Sequence, residues 1–194
     1  MKIVLASAVL LIFGLTSCRK ETPLELPDGA VEVSLSCLNN ILDEGEDGID
    51  CGLNSCKPCV LSLADCALED NVFTASFATT ITTAFGTGQV ASSTASGFLV
   101  VTATAGNKYV KVTFGSSSPQ IFSAFPLNQF GVPGSNEAVL EYFNGSNLYT
   151  AYSSSDNVHL NKLGGKLSVE FCDVYMDTPS IGGYIVADGK ITEN

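Results

Sequence analysis

Seven cysteines and a single histidine set the chemistry open to this 194-residue chain. Five of the thiols crowd together at Cys37, Cys51, Cys56, Cys59 and Cys66, while Cys18 lies well before them and Cys172 far after. Thiols this close can form bridges, hold zinc or make a redox pair. Cys56-Lys57-Pro58-Cys59 has the C-x-x-C spacing of a zinc knuckle or a redox motif. A redox pair belongs in a βαβ context, and nothing around these residues supplies one. Between the first two cysteines, Asp43, Glu46, Asp47 and Asp50 place hard oxygen donors close together. Asp43-Glu44-Gly45-Glu46-Asp47-Gly48 loosely echoes a calcium loop, without the full D-x-D-x-D-G pattern or the distal Glu.

No catalytic constellation emerges from the rest. His159 stands in Asn157-Val158-His159-Leu160 with no nucleophile elbow, and it is expected to be a lone exposed side chain on a strand or loop edge. Glu137, Glu141, Glu170 and Asp173 supply carboxylates, but nothing in their spacing singles out an acid–base pair. Gly86-Thr87-Gly88 is too short to cradle a phosphate and has no helix after it. The chain is therefore expected to be no enzyme.

The first seventeen residues differ from all that follow. Lys2 precedes an uncharged, mostly apolar run from Ile3 to Leu15. Thirteen residues at helical rise span about 20 Å, short of a hydrocarbon core of roughly 30 Å, as expected of a cleavable signal peptide. The run ends in Leu15-Thr16-Ser17-Cys18, which resembles the lipobox of bacterial lipoproteins. That resemblance implies diacylglycerol on the Cys18 thiol, cleavage just before it, and usually acylation of the new amino end. Two or three chains, at about 0.8 kcal/mol per buried methylene, hold where one chain holds only marginally. Arg19 stands where an Asp would retain the product at an inner membrane. Lys20-Glu21 also resembles the surface-export signal of Bacteroidetes lipoproteins, with Thr22 in place of its second acid. The resemblance implies a lipid-anchored, surface-exposed protein of the outer membrane, with a periplasm-facing one as the alternative.

Export narrows the thiol chemistry. With Cys18 committed to lipid, six cysteines remain, and an even count in an exported chain is read as three disulfides with fifteen possible pairings. Zinc on four thiolates stays open but is disfavoured by an oxidising location. Cleavage removes Lys2 with residues 1–17, so eight Lys and Arg face twenty Asp and Glu, a formal charge of −12. So acidic a chain lacks the electrostatic footprint of a nucleic-acid binder.

The positioning elements are strands. Frequent Ser, Thr, Gly and β-branched residues suggest an all-β protein. In Lys108–Phe114, Val110, Val112 and Phe114 alternate with polar partners; in Lys166–Phe171, Leu167, Val169 and Phe171 do so. Further strands are expected at Val72–Ala78, Gly97–Thr104, Glu137–Phe143, Asn147–Ser153 and Ile181–Ala187. Turns are expected at Ala105-Gly106-Asn107, Pro133-Gly134, Asn144-Gly145, Gly164-Gly165 and Asp188-Gly189. The expected fold is all-β: an antiparallel β-sandwich or barrel-like domain at 67–194, preceded by a small disulfide-rich module at 37–66 and a tether at 18–36. Val31–Leu35 could add an edge strand. Alternation points Cys172 away from the apolar trio beside it. It then needs a partner, and Cys66, which opens the β-domain, is the preferred one.

Residues 37–59, with their cysteines, Asp43, Gly45, Glu46 and Asp50-Cys51-Gly52, resemble a module recurrent in secreted and surface proteins of Bacteroidetes, C-x-N-G-I-x-D-x-G-E-x-x-V-D-C-G-G-x-C-x-x-C. They depart from it at Asn40, at Leu53 and by one extra residue before Cys56. The module is expected to be a loop stapled by bridges because it is too small to bury a core, with bound calcium as a second possibility. The strand region, with Gly164–Phe171 and a final hairpin around Asp188-Gly189, is similar to the small all-β domains of uncharacterised Bacteroidetes lipoproteins, which bring no known activity. Tyr142, Phe143, Tyr149 and Tyr152, near the Asn144–Asn147 loop, are a candidate sugar- or peptide-contacting surface. Aromatic pairing across a hairpin is the competing explanation. The expected function is a non-catalytic binding or adhesion role toward glycan or protein, against a purely structural envelope role with no small ligand.

Overall fold

A computed structural model describes residues 68–179 and 183–193, together with positions 43, 46, 51, 61, 64 and 66. All fall in one compact unit, Val33–Asn194. The expected signal peptide, Cys18, the expected tether with Val31–Leu35, and most of the expected cysteine-rich module lie outside the described residues.

Eleven strands and no helix make up the described part. They are β1 (Val72–Ser76), β2 (Thr80–Ala84), β3 (Val90–Ala95), β4 (Phe98–Ala105), β5 (Lys108–Phe114), β6 (Ser123–Pro126), β7 (Ala138–Phe143), β8 (Leu148–Ala151), β9 (Asn157–Leu163), β10 (Lys166–Thr178) and β11 (Gly183–Thr192). They form a single curled antiparallel sheet in the order β2-β1-β11-β10-β8-β7-β5-β4-β3. The all-β, barrel-like expectation is met. Among the described residues no helix is long and apolar enough to cross a membrane.

Alternation builds the core as the sequence patterns require. In β5, Val110, Val112 and Phe114 are fully buried and point into one cluster with Phe73, Val101, Leu140, Leu160, Val169, Phe171 and Met176. Burying a side chain of this size contributes roughly 1.5–3 kcal/mol, so this shared inner face is what curls and holds the sheet. Between β9 and β10, Gly164 and Gly165 both have positive φ, 57° and 81°, the conformation that a two-residue hairpin turn demands and only glycine adopts freely.

Strand β10 organises the rest. Its first half pairs with β9, Lys166 to Glu170 opposite Leu163 to His159, and its second half pairs with β8 at Met176 and Asp177. Along its other side it pairs with β11 throughout, except where the register jumps between Phe171 and Val174. Phe171 faces Gly189 and Val174 faces Ala187, so Cys172 and Asp173 together oppose Asp188. This is a β-bulge, and Asp173 takes the positive φ of 52° that such an irregularity stores. The Asp188 carboxylate accepts the Asp173 N–H at 2.8 Å, satisfying the donor that the ladder loses. A Cys66–Cys172 disulfide, with its Cα atoms 6.0 Å apart, ties the bulge to the start of the domain. The preferred bridge is therefore present.

One expected turn is corrected. Asp188-Gly189 lies inside β11 rather than at a hairpin tip, and the β10–β11 connection falls at 179–182 instead. The glycine is there for space: a Cβ at 189 would lie 2.5 Å from Cζ of the buried Phe171 ring, its cross-strand partner.

Candidate functional site: an aromatic ledge

The bulge reverses which residues of β10 face outward. Before it, Val169 and Phe171 point into the core; after it, Val174 and Met176 do. One extra residue shifts the two-residue period, so Tyr175 and Asp177 emerge on the outer face. Asp177 stands opposite Tyr184 of β11 on one side and Thr150 of β8 on the other. Residues paired in this way share a face. Just past β8, the Tyr152 N–H donates to the Tyr175 carbonyl at 2.8 Å and places its ring beside the other two. The Tyr175 N–H donates in turn to the Asp156 carboxylate at 3.3 Å, which holds this end of the strand.

The outcome is a row of rings on the sheet's outer surface. Tyr152, Tyr175 and Tyr184 are 63%, 52% and 54% exposed, and Phe77, where the chain leaves β1, is 67% exposed. The Tyr175 and Tyr184 rings lie 6.0 Å apart and tilt by 35°, and Phe77 packs edge-on against Tyr184 at 5.5 Å. The three tyrosines line a depression of about 300 Å³ together with Met176, Asp177 and Gly183. Past Tyr152 and Asp177 a second, shallow groove of about 560 Å³ continues to Phe130. Large rings grouped in this way on an exposed face are uncommon on a protein surface.

Charge on this surface is one-sided. In register across the face run Tyr184, Asp177, Thr150, Glu141 and Lys111. Lys111 is ion-paired with Glu141. Nothing among the described residues bonds the Asp177 carboxylate, which sits half-buried between the tyrosines. Among the described residues no Lys or Arg lines either depression.

The aromatic residues singled out from the sequence divide between two places. Tyr142 and Tyr149 are only 2% and 8% exposed, so they belong to the core and not to an exposed surface, a correction to the expected cluster. Tyr142 stacks on Tyr149 and packs on Phe73, cross-strand pairing of the kind that stabilises a hairpin. What remains open of this pair borders a small cavity of about 200 Å³ beside Phe77. Burial pushes the Tyr142 phenol pKa up, and the Thr83 hydroxyl beside it works in the opposite direction. Phe143 is half-buried and stacked on Tyr109. Tyr152 alone reaches the ledge. Tyr175 and Tyr184 were not foreseen, because continuing the alternation of Leu167, Val169 and Phe171 would turn residue 175 inward.

The acids suggested for chemistry have structural partners. Glu137 accepts from the Asn128 amide at 2.6 Å and the Gly134 N–H at 2.8 Å, and these bonds lower its pKa. Glu141 pairs with Lys111, while Glu170 is buried and lies 3.3 Å from Lys190. Lys190 is also 2.9 Å from Asp70, and that hydrogen bond is the main reason its pKa is raised. Asp173 occupies the bulge. His159 is half-buried within β9, in register with Glu170 and Ala124, which corrects the expectation of an exposed side chain.

Of the four candidate calcium ligands, Asp43 and Glu46 are described, whereas Asp47 and Asp50 lie outside the described residues. The buried Glu46 carboxylate accepts the Asp43 N–H at 3.1 Å, and the Glu46 N–H donates to the Asp43 carbonyl at 3.2 Å. Cys51 is disulfide-bonded; Cys37, Cys56 and Cys59 lie outside the described residues. Cys66, Cys172 and Asp188 bring metal-ligating atoms together, but the two sulfurs are bonded to each other and Asp188 caps the bulge.

No family model, no curated protein and no solved structure matches this chain.

Proposed function

We propose that this chain is a lipid-anchored, surface-exposed lipoprotein of the bacterial outer membrane whose β-domain has a non-catalytic binding or adhesion role, contacting a glycan or protein ligand through the outward aromatic ledge. The anchor rests on Leu15-Thr16-Ser17-Cys18 and the preceding apolar run. The observation that carries the binding role is the exposure of Tyr152, Tyr175 and Tyr184 side by side around Asp177. A purely structural envelope protein needs no such surface, and desolvating large rings is favourable only when something covers them.

The test is a glycan and protein binding screen on the full chain purified in detergent, with Tyr175→Ala/Tyr184→Ala in parallel. Ligands retained by the native chain and lost by the double variant support the ledge as the contact surface. Equal retention by both would refute it. For the anchor, a lipid label incorporated by the native chain and absent from Cys18→Ala is the expected result. An unlabelled native chain would refute lipidation.

A further inference from the structure

We propose that the ligand presents an arginine of a partner polypeptide to the ledge, its guanidinium lying against Tyr175 and Tyr184 and paired with Asp177. This deepens the binding role proposed above and rests on it.

The complement of groups points to a cation. Aromatic faces carry negative potential, and a guanidinium within about 6 Å of a ring centroid is attracted to it. Here two rings 6.0 Å apart tilt toward one another next to a carboxylate that nothing among the described residues bonds. A carboxylate with no partner among the described residues has both oxygens open to a bidentate donor. The nearest cation in the cross-strand row, Lys111, already pairs with Glu141. Among the described residues the ledge therefore has an unmatched negative site and no positive group of its own. At long range the chain's net charge of −11 adds attraction for a basic partner.

Arginine fits better than the alternatives. Its planar group stacks on a phenol ring while donating two parallel hydrogen bonds, whereas an ammonium is compact and strongly hydrated. A sugar ring stacks too, but its hydroxyls need donors as well as acceptors. Among the described residues the depression offers phenol hydroxyls as its side-chain donors, with Thr150 and Gln129 added only along the adjoining groove, and no cationic donor in either. The groove running from Tyr152 to Phe130 exceeds one side chain in size and accommodates the residues flanking the arginine, which argues for a polypeptide over a free small molecule.

The experiment titrates the full chain in detergent with a blocked pentapeptide carrying one central arginine and with the same peptide carrying citrulline, a neutral isostere. N-acetyl-arginine amide and a neutral glucose hexasaccharide serve as further probes, and nuclear magnetic resonance shifts report binding. The expected result is saturable binding of the arginine peptide with shifts at Tyr175, Asp177 and Tyr184, and affinity lower by about tenfold for citrulline. Asp177→Asn is expected to weaken the arginine peptide by a similar factor, while Glu69→Gln, the same charge change at an exposed residue elsewhere, leaves it unchanged. Equal affinity for arginine and citrulline peptides, or equal loss in Glu69→Gln, would overturn the assignment. N-acetyl-arginine amide binding as tightly as the peptide would overturn the polypeptide partner. Hexasaccharide binding that Tyr175→Ala abolishes, with no arginine-peptide binding, would overturn arginine and leave the ledge as a binding surface. Binding of every probe unaltered by Tyr175→Ala would remove both. The arginine–citrulline comparison uses only the native chain, so it stands even if a variant fails to fold.

Discussion

The two halves of β10 carry the same alternating kind of sequence and meet opposite fates. From Ser168 to Phe171 both faces are buried: Val169 and Phe171 enter the core, while Ser168 bonds Thr192 and Glu170 meets Lys190 on the other side. From Val174 to Thr178 only one face is buried, and the other presents Tyr175 and Asp177 to solvent. Between them lie two residues, Cys172 and Asp173, opposite one. A sheet face is thus assigned by local register as much as by side-chain character. A bulge held by a disulfide and an aspartate converts a stretch of core strand into a stretch with one solvent-facing aromatic side.

Three changes test that comparison, in falling order of effect. Replacing Cys66 and Cys172 by alanine opens a loop with a sequence separation of 106. In a chain-entropy treatment that lowers stability by about 4–5 kcal/mol, read as a shifted denaturant midpoint. Gly189→Ala strikes the first half alone. The added Cβ meets a fully buried ring, and overpacking of this kind is expected to lower stability by about 1–3 kcal/mol. Tyr175→Ala and Tyr184→Ala strike the second half, at exposed positions. Each is expected to stay within about 0.5 kcal/mol of the native stability while ligand binding falls.

A pH series separates the halves further. Lys190 belongs to the first half, and its partners Asp70 and Glu170 raise its folded pKa above the unfolded value. A cation stabilised in this way contributes fully below the unfolded pKa, and the contribution is lost as pH rises through the folded one. The stability difference between the native chain and Lys190→Met should therefore be constant near neutrality and shrink in strong alkali. A difference that persists there would show that packing of the lysine stem, not its charge, is what matters.

Much of this fold was legible in the alternation. Lys108–Phe114 is β5 to the residue, and β1, β4, β7 and β8 lie within the expected segments to within a residue or two. The elements that escaped are the ones with little alternation to read. Thr80–Ala84 and Val90–Ala95 are short, Ser/Thr-rich strands at the two ends of the strand order, where few residues are buried. Ser123–Pro126 is a four-residue strand ending in proline. In β9, Val158 and Leu160 do alternate with polar neighbours, a signal that was available. Gly189 resembled a turn residue because sequence cannot distinguish glycine needed for a positive φ from glycine needed to leave room for a ring.

The candidate site divides along the same line. Residue types and local spacing were enough for an all-β domain, for most of its inward-facing positions and for the Cys66–Cys172 bridge, because a two-residue period and an unpartnered thiol are properties of a short stretch of chain. The ledge is not such a property. Which ring faces solvent depends on a register jump between β10 and β11 and on strands brought together from positions 77, 152, 175 and 184. Tyr142 and Tyr175 are the same residue type in similarly alternating strands. Strand pairing places one in the core and the other on the surface, because the count of residues since the last bulge sets the direction in which each side chain points.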